Sequence, residues 1–387
     1  MKMASSTLGP MVSLITNMII QIDSSAYDFC VNENDHNARY FLDDLCSSRK
    51  LGYIALDSTK KIILAILNRS DLSPLQKAII NNIKEMITFK LSLFERVKFR
   101  AIVFNSKFGF DKSRYDDTNL FIDLNDYYNR YTRNGINPFN KPKLVLEDIN
   151  DYNVYNYICR WYKNNNTVFI DYNISLDIEH GGGNRTSNIC EQYFSDGKTV
   201  FSICDSDSKY PGDPKKHDTA SNLIELFSSK INLNQLYVLK CQEVENLIPL
   251  SILKETANGT QLPAVKFIEH VIDQDPEYYF FIDLKNGFKY NQVFPEVETE
   301  YSKHWSKFFE DFDCEHYNRS VLSVRNKTTP KNSSIICKLS SMLPHAIDRM
   351  KSMPIDTEIE PYLLAEWKNI AEKLYSWGCS GKQLRVF

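Results

Sequence analysis

Two aspartates separated by one residue end an apolar segment near the middle of the chain. The segment FSICDSD carries Asp205 and Asp207 directly after the run VFSIC. On an extended backbone, side chains two residues apart project to the same face, so the two carboxylates would lie close together and repel each other. A hard divalent ion that prefers oxygen ligands, Mg²⁺ or Mn²⁺, suits such a pair. Alternatively, the aspartates only cap a strand-end turn that Pro211 and Gly212 complete.

Further acids follow two other apolar segments. KLVLEDIND ends its apolar run with Glu147 and places Asp151 four residues later, one helical turn on. Glu243 and Glu245 follow the run QLYVLK in the same way. Ligands of open α/β sheets bind beyond the carboxyl ends of the strands, so these acids are candidates for one shared site. Each pair taken alone also fits ordinary first-turn acids, which the helix dipole favours.

The elements that must position these acids alternate between strand and helix after residue 141. This pattern predicts an α/β fold with a mostly parallel sheet flanked by helices. Helices are predicted between the strands, and HGGGNRT is predicted to be a flexible turn. The predicted strands are KLVLE, TVFIDYNISLDIE, KTVFSICD, QLYVLK and EYYFFIDL.

The clearest boundary along the chain is the Asn-, Pro- and Gly-rich segment NGINPFNKPK. It separates a mixed α/β region, residues 1–138, from the α/β region predicted over residues 141–289. A mostly helical extension is predicted over residues 290–387. Within the first region, SPLQKAIINNIKEMITFKLSLFERV predicts a long amphipathic helix, with Ser73 as its N-cap.

Length, charge and cysteine content narrow the classes of function. The chain has 387 residues, enough for two or three domains, and its 43% apolar content is typical of a globular rather than a disordered protein. A formal charge of −3 provides no general basic field, so a nucleic-acid ligand would need a local patch or a partner. Nine cysteines without a C-x-x-C pair argue against a zinc ribbon and favour a reducing, cytoplasmic location. Neither a signal peptide nor a membrane span is predicted.

The order of the acidic motifs resembles a Toprim domain. The resemblance comprises a strand ending in Glu147 with Asp151 four residues on, a glycine turn, the Asp205-Ser206-Asp207 motif, and Glu245-Asn246 after the next strand. It is closest to nucleases of the overcoming-lysogenisation-defect (OLD) type and related bacterial phage-defence effectors, and it covers roughly residues 141–285. The glycine that usually follows the first glutamate is Asp148 here.

The resemblance implies a Mg²⁺- or Mn²⁺-dependent endonuclease. Its metal ligands would be Glu147, Asp151, Asp205, Asp207 and Glu245. Glu147 is alternatively a general acid or base, and Lys285, predicted to end the last strand, would neutralise charge on the transition state. The substrate would be DNA or RNA, possibly tRNA.

The first region faintly resembles PIN-type nucleases. Asp23 ends the run IIQID, and Asp116, Asp117 and Asp123 lie around NLFID. The middle acid that such sites need is not evident near ILAILNRS. The expectation is therefore a degenerate or structural domain, with an active second nuclease as the alternative.

Two other functions remain open, a topoisomerase or primase component and a module without catalysis. No Walker A sequence is present, so the resemblance to defence nucleases implies control by a separate ATPase or sensor protein. Candidate contacts for such a partner in the helical extension are Trp367, Trp377, Lys382 and Arg385, and the alternative for the tryptophans is that they are packed.

Overall fold

A computed structural model describes residues 18–87, 97, 100–115, 119–169, 172–174, 176–214, 218–229, 234–310, 312, 334–380 and 384. The chain divides into two compact units. The first comprises residues 1–142, 168–177 and 374–387, and the second residues 143–167 and 178–373. Asp116, Asp117, Lys382 and Arg385 lie outside the described residues.

The first unit contains a four-stranded parallel sheet in the order β2-β1-β3-β4. Its strands are β1 (Ile19–Ile22), β2 (Ala55–Asp57), β3 (Ala101–Phe104) and β4 (Leu120–Asp123). Helices α1 (Tyr27–Val31), α2 (His36–Lys50), α3 (Lys60–Leu67), α4 (Pro74–Ile87) and α5 (Tyr127–Arg130) accompany it. The amphipathic helix predicted from residue 73 corresponds to α4, where the Ser73 hydroxyl accepts a hydrogen bond from the amide of Gln76.

The second unit contains the sheet predicted from the acidic motifs, in the order β7-β5-β8-β9. Its strands are β5 (Lys143–Leu146), β7 (Asp177–His180), β8 (Val200–Cys204) and β9 (Asn234–Val238). β8 is parallel to both β5 and β9. The general α/β prediction, parallel strands flanked by helices, is therefore confirmed.

Both faces of the two central strands of this second sheet, β5 and β8, are buried. On one face Val145, Val200 and Cys204 pack with side chains of α7 (Thr186–Ser195) and α8 (Asp218–Ser229). The side chains of Leu146 and Ile203 point to the opposite face of the same strands and are buried too. Apolar strands without a polar face are typical of parallel sheets covered on both sides, which explains why they read as continuous apolar runs.

The described residues contain seven further α-helices and two antiparallel strand pairs. The helices are α6 (Asp151–Asn164), α9 (Leu250–Thr256), α10 (Leu262–Gln274), α11 (Tyr290–Val293), α12 (Glu300–Glu310), α13 (Leu343–Ser352) and α14 (Pro361–Gly378). Two strand pairs are antiparallel: β10 (Phe288–Lys289) with β11 (Ser334–Ile336), and β6 (Asn173–Ile174) with β12 (Cys379–Ser380). No described helix is long and apolar enough to cross a membrane.

Two of the predicted strands are wrong. EYYFFIDL forms a 3₁₀ helix over Pro276–Phe281, because Asp275 caps its amide groups and Pro276 occupies the first helical position. TVFIDYNISLDIE is divided between a 3₁₀ turn, Thr167–Phe169, and the short strands β6 and β7. Lys285 therefore follows a 3₁₀ helix and not a strand.

The two tryptophans of the last helix are buried. Trp367 and Trp377 are each 0% exposed, and the Trp367 indole N–H donates to the carbonyl of Leu247 at 3.1 Å. Trp367 also makes an edge contact with Trp161 at 5.4 Å between ring centroids. The expectation that these two residues are available to a partner is therefore wrong, and the alternative of packing holds for both.

Candidate active site

Glu147 and Asp205 directly follow two adjacent parallel strands, β5 and β8. The backbone N–H of Asp205 donates to Oε1 of Glu147 at 3.1 Å. Both residues are partly buried. The carboxyl edge of the sheet thus brings together the first acids of two motifs that are 58 residues apart in sequence.

A glycine turn holds the backbone of Glu147 in place. The amides of Gly182 and Gly183 approach the Glu147 carbonyl at 3.1 and 3.3 Å, and the Gly181 N–H donates to Leu146 at 2.7 Å. A Cβ atom on Gly181 would lie 2.8 Å from the Leu146 carbonyl oxygen and 2.3 Å from Thr186 Oγ1. The segment predicted as a flexible turn is therefore a tight connection that positions the first glutamate.

Asp207 does not lie on an extended backbone. Its φ of 53° places it in the left-handed region, which residues other than glycine seldom adopt. Its amide donates to the Gln242 carbonyl at 2.9 Å, so the loop after β8 is attached to the loop after β9. The prediction that Asp205 and Asp207 share one face of a strand is wrong at this position. The Asp207 carboxylate nevertheless lies close enough to the cluster for its charge to raise the pKa values of Glu147 and Glu243.

Asp151 and Glu245 lie beside the first two acids. Asp151 is the first residue of α6, and its side chain accepts a hydrogen bond from the Asp148 amide at 3.2 Å. Glu245 belongs to a 3₁₀ helix, Val244–Leu247, that follows β9 and is 8% exposed. The charges of both residues act on Asp205, so all the predicted acids surround one edge of the sheet.

Lys285 pairs with acids of this cluster. Its Nζ lies 3.0 Å from Glu245 Oε2 and 3.9 Å from Glu243 Oε2. Burial acts to lower the pKa of Lys285, but Glu245 and Glu243 outweigh it and raise that pKa above its ordinary value. Glu243 was not among the predicted ligands, although it is buried at the same place.

Burial and mutual repulsion raise the pKa values of the carboxyl groups. Desolvation is the main cause at Asp205, whose pKa lies well above its usual range, and the charges of Glu147, Asp151 and Glu245 add to it. The pKa of Asp151 rises to about 7, through burial and then through Glu245 and Asp148. A cation placed among these groups would remove both the repulsion and part of the desolvation penalty.

The donor atoms fit a hard divalent cation. They are carboxylate oxygens, the ligands that Mg²⁺ and Mn²⁺ prefer. Oε2 of Glu243 is buried and has no hydrogen-bond partner within the described part of the chain. This oxygen could therefore coordinate a cation. Among the described residues, no three His, Cys, Asp or Glu side chains are already arranged around a common centre. Lys285 lies 3.0 Å from Glu245 Oε2, so a cation that bound this oxygen would displace the lysine.

A cavity of about 540 Å³ opens beside the acids. Its walls include Asp151, Glu245 and Lys285 of the cluster together with residues of α13 and of the segment that precedes this helix. A substrate in the cavity would therefore contact part of the acid cluster directly.

Asn246 holds this part of the site together. The residue is fully buried, and its amide nitrogen donates to the carbonyls of Tyr279 and Ile282 at 3.0 and 2.9 Å. Its Oδ1 accepts from the Glu243 amide at 3.0 Å. One side chain thus connects the segment carrying Glu243 and Glu245 to the segment that leads to Lys285.

The acids of the first unit have structural partners. Asp23 caps the turn after β1 and accepts hydrogen bonds from the Ser25 amide and the Tyr115 hydroxyl. Asp123 accepts from the amides of Ser106 and Asn125. These contacts are those of capping residues, and the structural role expected for this domain stays a prediction.

The comparisons with known proteins leave the family open. No family model, curated protein or solved structure matches the chain.

Proposed function

We propose that this chain is a divalent-metal-dependent nuclease of the Toprim type that hydrolyses phosphodiester bonds in DNA or RNA. The proposal rests on one observation above all. Glu147 and Asp205 follow adjacent parallel strands and are joined by a hydrogen bond, and Asp151, Glu245 and Lys285 surround them. Clustered carboxylates repel each other and so lower stability. Capping of separate turns does not explain why these acids lie at one edge of the sheet.

The acids of the cluster have different parts in the proposed hydrolysis. The carboxylates of Glu147, Asp151, Asp205, Asp207 and Glu245 would hold the cation, which would supply Lewis-acid activation of the scissile phosphate and of the attacking water. Glu147 is the candidate to move a proton at the attacking water, because it follows β5 at the acid cluster and burial raises the pKa of its carboxyl group above the ordinary value.

Lys285 is the candidate for charge neutralisation. It is 41% exposed and faces the cavity, and its partner Glu245 is one of the proposed ligands. With Glu245 engaged in holding a cation, the Lys285 ammonium group would be free to neutralise the charge that increases on the phosphate oxygens in the transition state.

We expect the purified chain to cleave nucleic acid only when Mg²⁺ or Mn²⁺ is present. Circular plasmid, single-stranded DNA and tRNA are incubated with each ion and with EDTA, and the products are resolved on gels. Cleavage of the circular plasmid identifies an endonuclease, because it has no ends. The proposal is contradicted if none of the three substrates is cut with either ion, or if cutting persists in EDTA.

The wider role stays a prediction. Membership of the OLD group, a part in defence against phage and control by a separate ATPase or sensor were inferred from the resemblance, and no contact in the described residues bears on them.

A further inference from the structure

The cavity beside the acid cluster has a wall that lies outside the Toprim resemblance. Helix α13 contributes Leu343, Pro344, Ile347, Asp348 and Lys351, and the segment before it contributes Lys338 and Ser340. The resemblance ends near residue 285, so this wall belongs to the region predicted only as a helical extension.

The wall has the chemistry of a surface that binds a sugar–phosphate backbone. Lys338 is exposed and makes no ion pair within the described residues. Lys351 Nζ lies 2.8 Å from Asp348 Oδ1, and both side chains are exposed to solvent. An exposed ion pair contributes little free energy, so Lys351 can leave Asp348 and bind a phosphate at little cost. The side-chain amides of Asn150 and Asn153 also line the cavity, whereas that of Asn286 donates to the carboxylate of Asp283.

The base is not what this cavity recognises. None of its lining residues in the described part of the chain is aromatic, so stacking on a base is not available there. Lysine and amide donors without a stacking surface favour phosphate and sugar contacts, which position a strand without reading its sequence.

The cavity carries four carboxylates against three lysines. A polyanion would therefore be repelled until the acid cluster is neutralised. This makes entry of a nucleic-acid strand dependent on the same cation that the proposed chemistry needs.

We infer that the cavity binds the backbone of the strand to be cut, with Lys338 and Lys351 contacting phosphates that flank the scissile one. This inference rests on the proposed nuclease function. It implies that binding is independent of sequence and strengthened by a divalent cation.

Binding is measured by fluorescence anisotropy with labelled 20-nucleotide DNA and RNA of the same sequence, in Ca²⁺ and in EDTA, across a salt series. Gels confirm that the oligonucleotides stay intact. We expect Ca²⁺ to strengthen binding at least tenfold. Lys338→Ala and Lys351→Ala should each weaken it several-fold and reduce the magnitude of the salt slope by about 0.7, the value for one phosphate contact to a single strand. The polymer that binds more tightly identifies the preferred substrate.

Lys303→Ala is the matched control for Lys351→Ala. Lys303 makes an exposed ion pair of the same spacing, 2.7 Å from Glu300, on a helix that does not line the cavity. Its substitution should leave affinity and salt slope unchanged.

Cleavage kinetics separate the inference from the proposed function. A Lys338→Ala/Lys351→Ala variant should raise KM and leave kcat near the wild-type value, because both lysines bind substrate and transition state alike. If the wild type cuts nucleic acid but both lysine variants keep its affinity and salt slope, the inference about the cavity is wrong while the nuclease stands. If the wild type neither binds nor cuts any substrate, the proposed function itself fails.

Discussion

Replacing Asn246 with alanine will cost the protein about 3–5 kcal/mol of stability, because the Glu243 amide and the carbonyls of Tyr279 and Ile282 lose their partners in a dry interior. Each unsatisfied buried group costs about 1–3 kcal/mol, and water cannot replace the missing amide without entering the core. The urea midpoint of the variant should fall in proportion, with little change in the slope m. This is the largest loss of stability that we expect from one residue of the candidate site.

Asn164→Ala is the control for this substitution. Asn164 is exposed at the end of α6, and its replacement should change stability by less than about 0.5 kcal/mol. A loss of less than about 1 kcal/mol for Asn246→Ala would mean that the two segments are held by other contacts, and the structural role assigned to Asn246 would be wrong.

Asp205→Asn will abolish cleavage, with an expected loss of at least about 10³-fold in kcat, because the amide removes a charged ligand from the centre of the cation site. The backbone hydrogen bond from residue 205 to Glu147 does not involve this side chain, so the fold should be unaffected. Single-turnover cleavage at saturating Mg²⁺ measures the effect. Wild-type rates in the variant would refute the assignment of Asp205.

The same variant should be more stable than the wild type at pH 8 in EDTA. A carboxyl group whose pKa is raised by folding binds more protons in the folded state than in the unfolded state. Stability therefore falls as pH rises from about 4 through the raised pKa, and the full penalty remains above it. The pKa of Asp205 is raised by burial and by its acidic neighbours. We expect a gain of about 1–2 kcal/mol, or a few degrees in Tm, at pH 8, and a smaller gain at pH 5.

Asp196→Asn controls for both measurements. Asp196 is exposed at the end of α7, outside the acid cluster, so its substitution should change neither cleavage nor the pH dependence of Tm.

The strands that carry the acids could be predicted because their environment leaves a simple pattern. β5 and β8 are buried on both faces and β9 is half-buried, and each reads as an apolar run that stops at a polar residue. Parallel strands end at one edge, which is why acids as far apart in sequence as Glu147 and Asp205 could be placed together before the structure was known.

The predictions of secondary structure fail where local composition and tertiary structure favour different conformations. The aromatic run before Lys285 is as apolar as a strand, and only the cap by Asp275 and the packing of Tyr278 and Tyr279 select a 3₁₀ helix. Asp207 was placed on an extended backbone, whereas its hydrogen bond to Gln242 holds it in a left-handed turn. The Asp207–Gln242 contact joins the loops after two different strands and cannot be read from neighbouring residues, whereas Asp275 and Pro276 directly precede the 3₁₀ helix and are a local signal for its start.

The cavity wall formed by α13 and the segment before it could not be predicted at all. Lys338 and Lys351 reach the cavity through the packing of α13 against α6, elements almost 200 residues apart, and surface lysines on a helix leave no distinguishing pattern. The role of Gly181 could not be predicted either. Glycine is required there because Leu146 and Thr186 approach its backbone too closely to leave room for a Cβ atom, and not because of the turn itself.

The central claim is that the carboxylates at the edge of the second sheet hold a divalent cation. The most direct test is to crystallise the wild type with Mn²⁺ and to locate the ion by its anomalous scattering, with Asp205→Asn crystals as the comparison. We predict an anomalous peak in contact with carboxylate oxygens of Glu147 and Asp205, with Lys285 moved away from Glu245, and no such peak in the variant. Mn²⁺ bound only elsewhere, or a wild-type site in which Lys285 still pairs with Glu245 and no ion is present at saturating Mn²⁺, would contradict the claim.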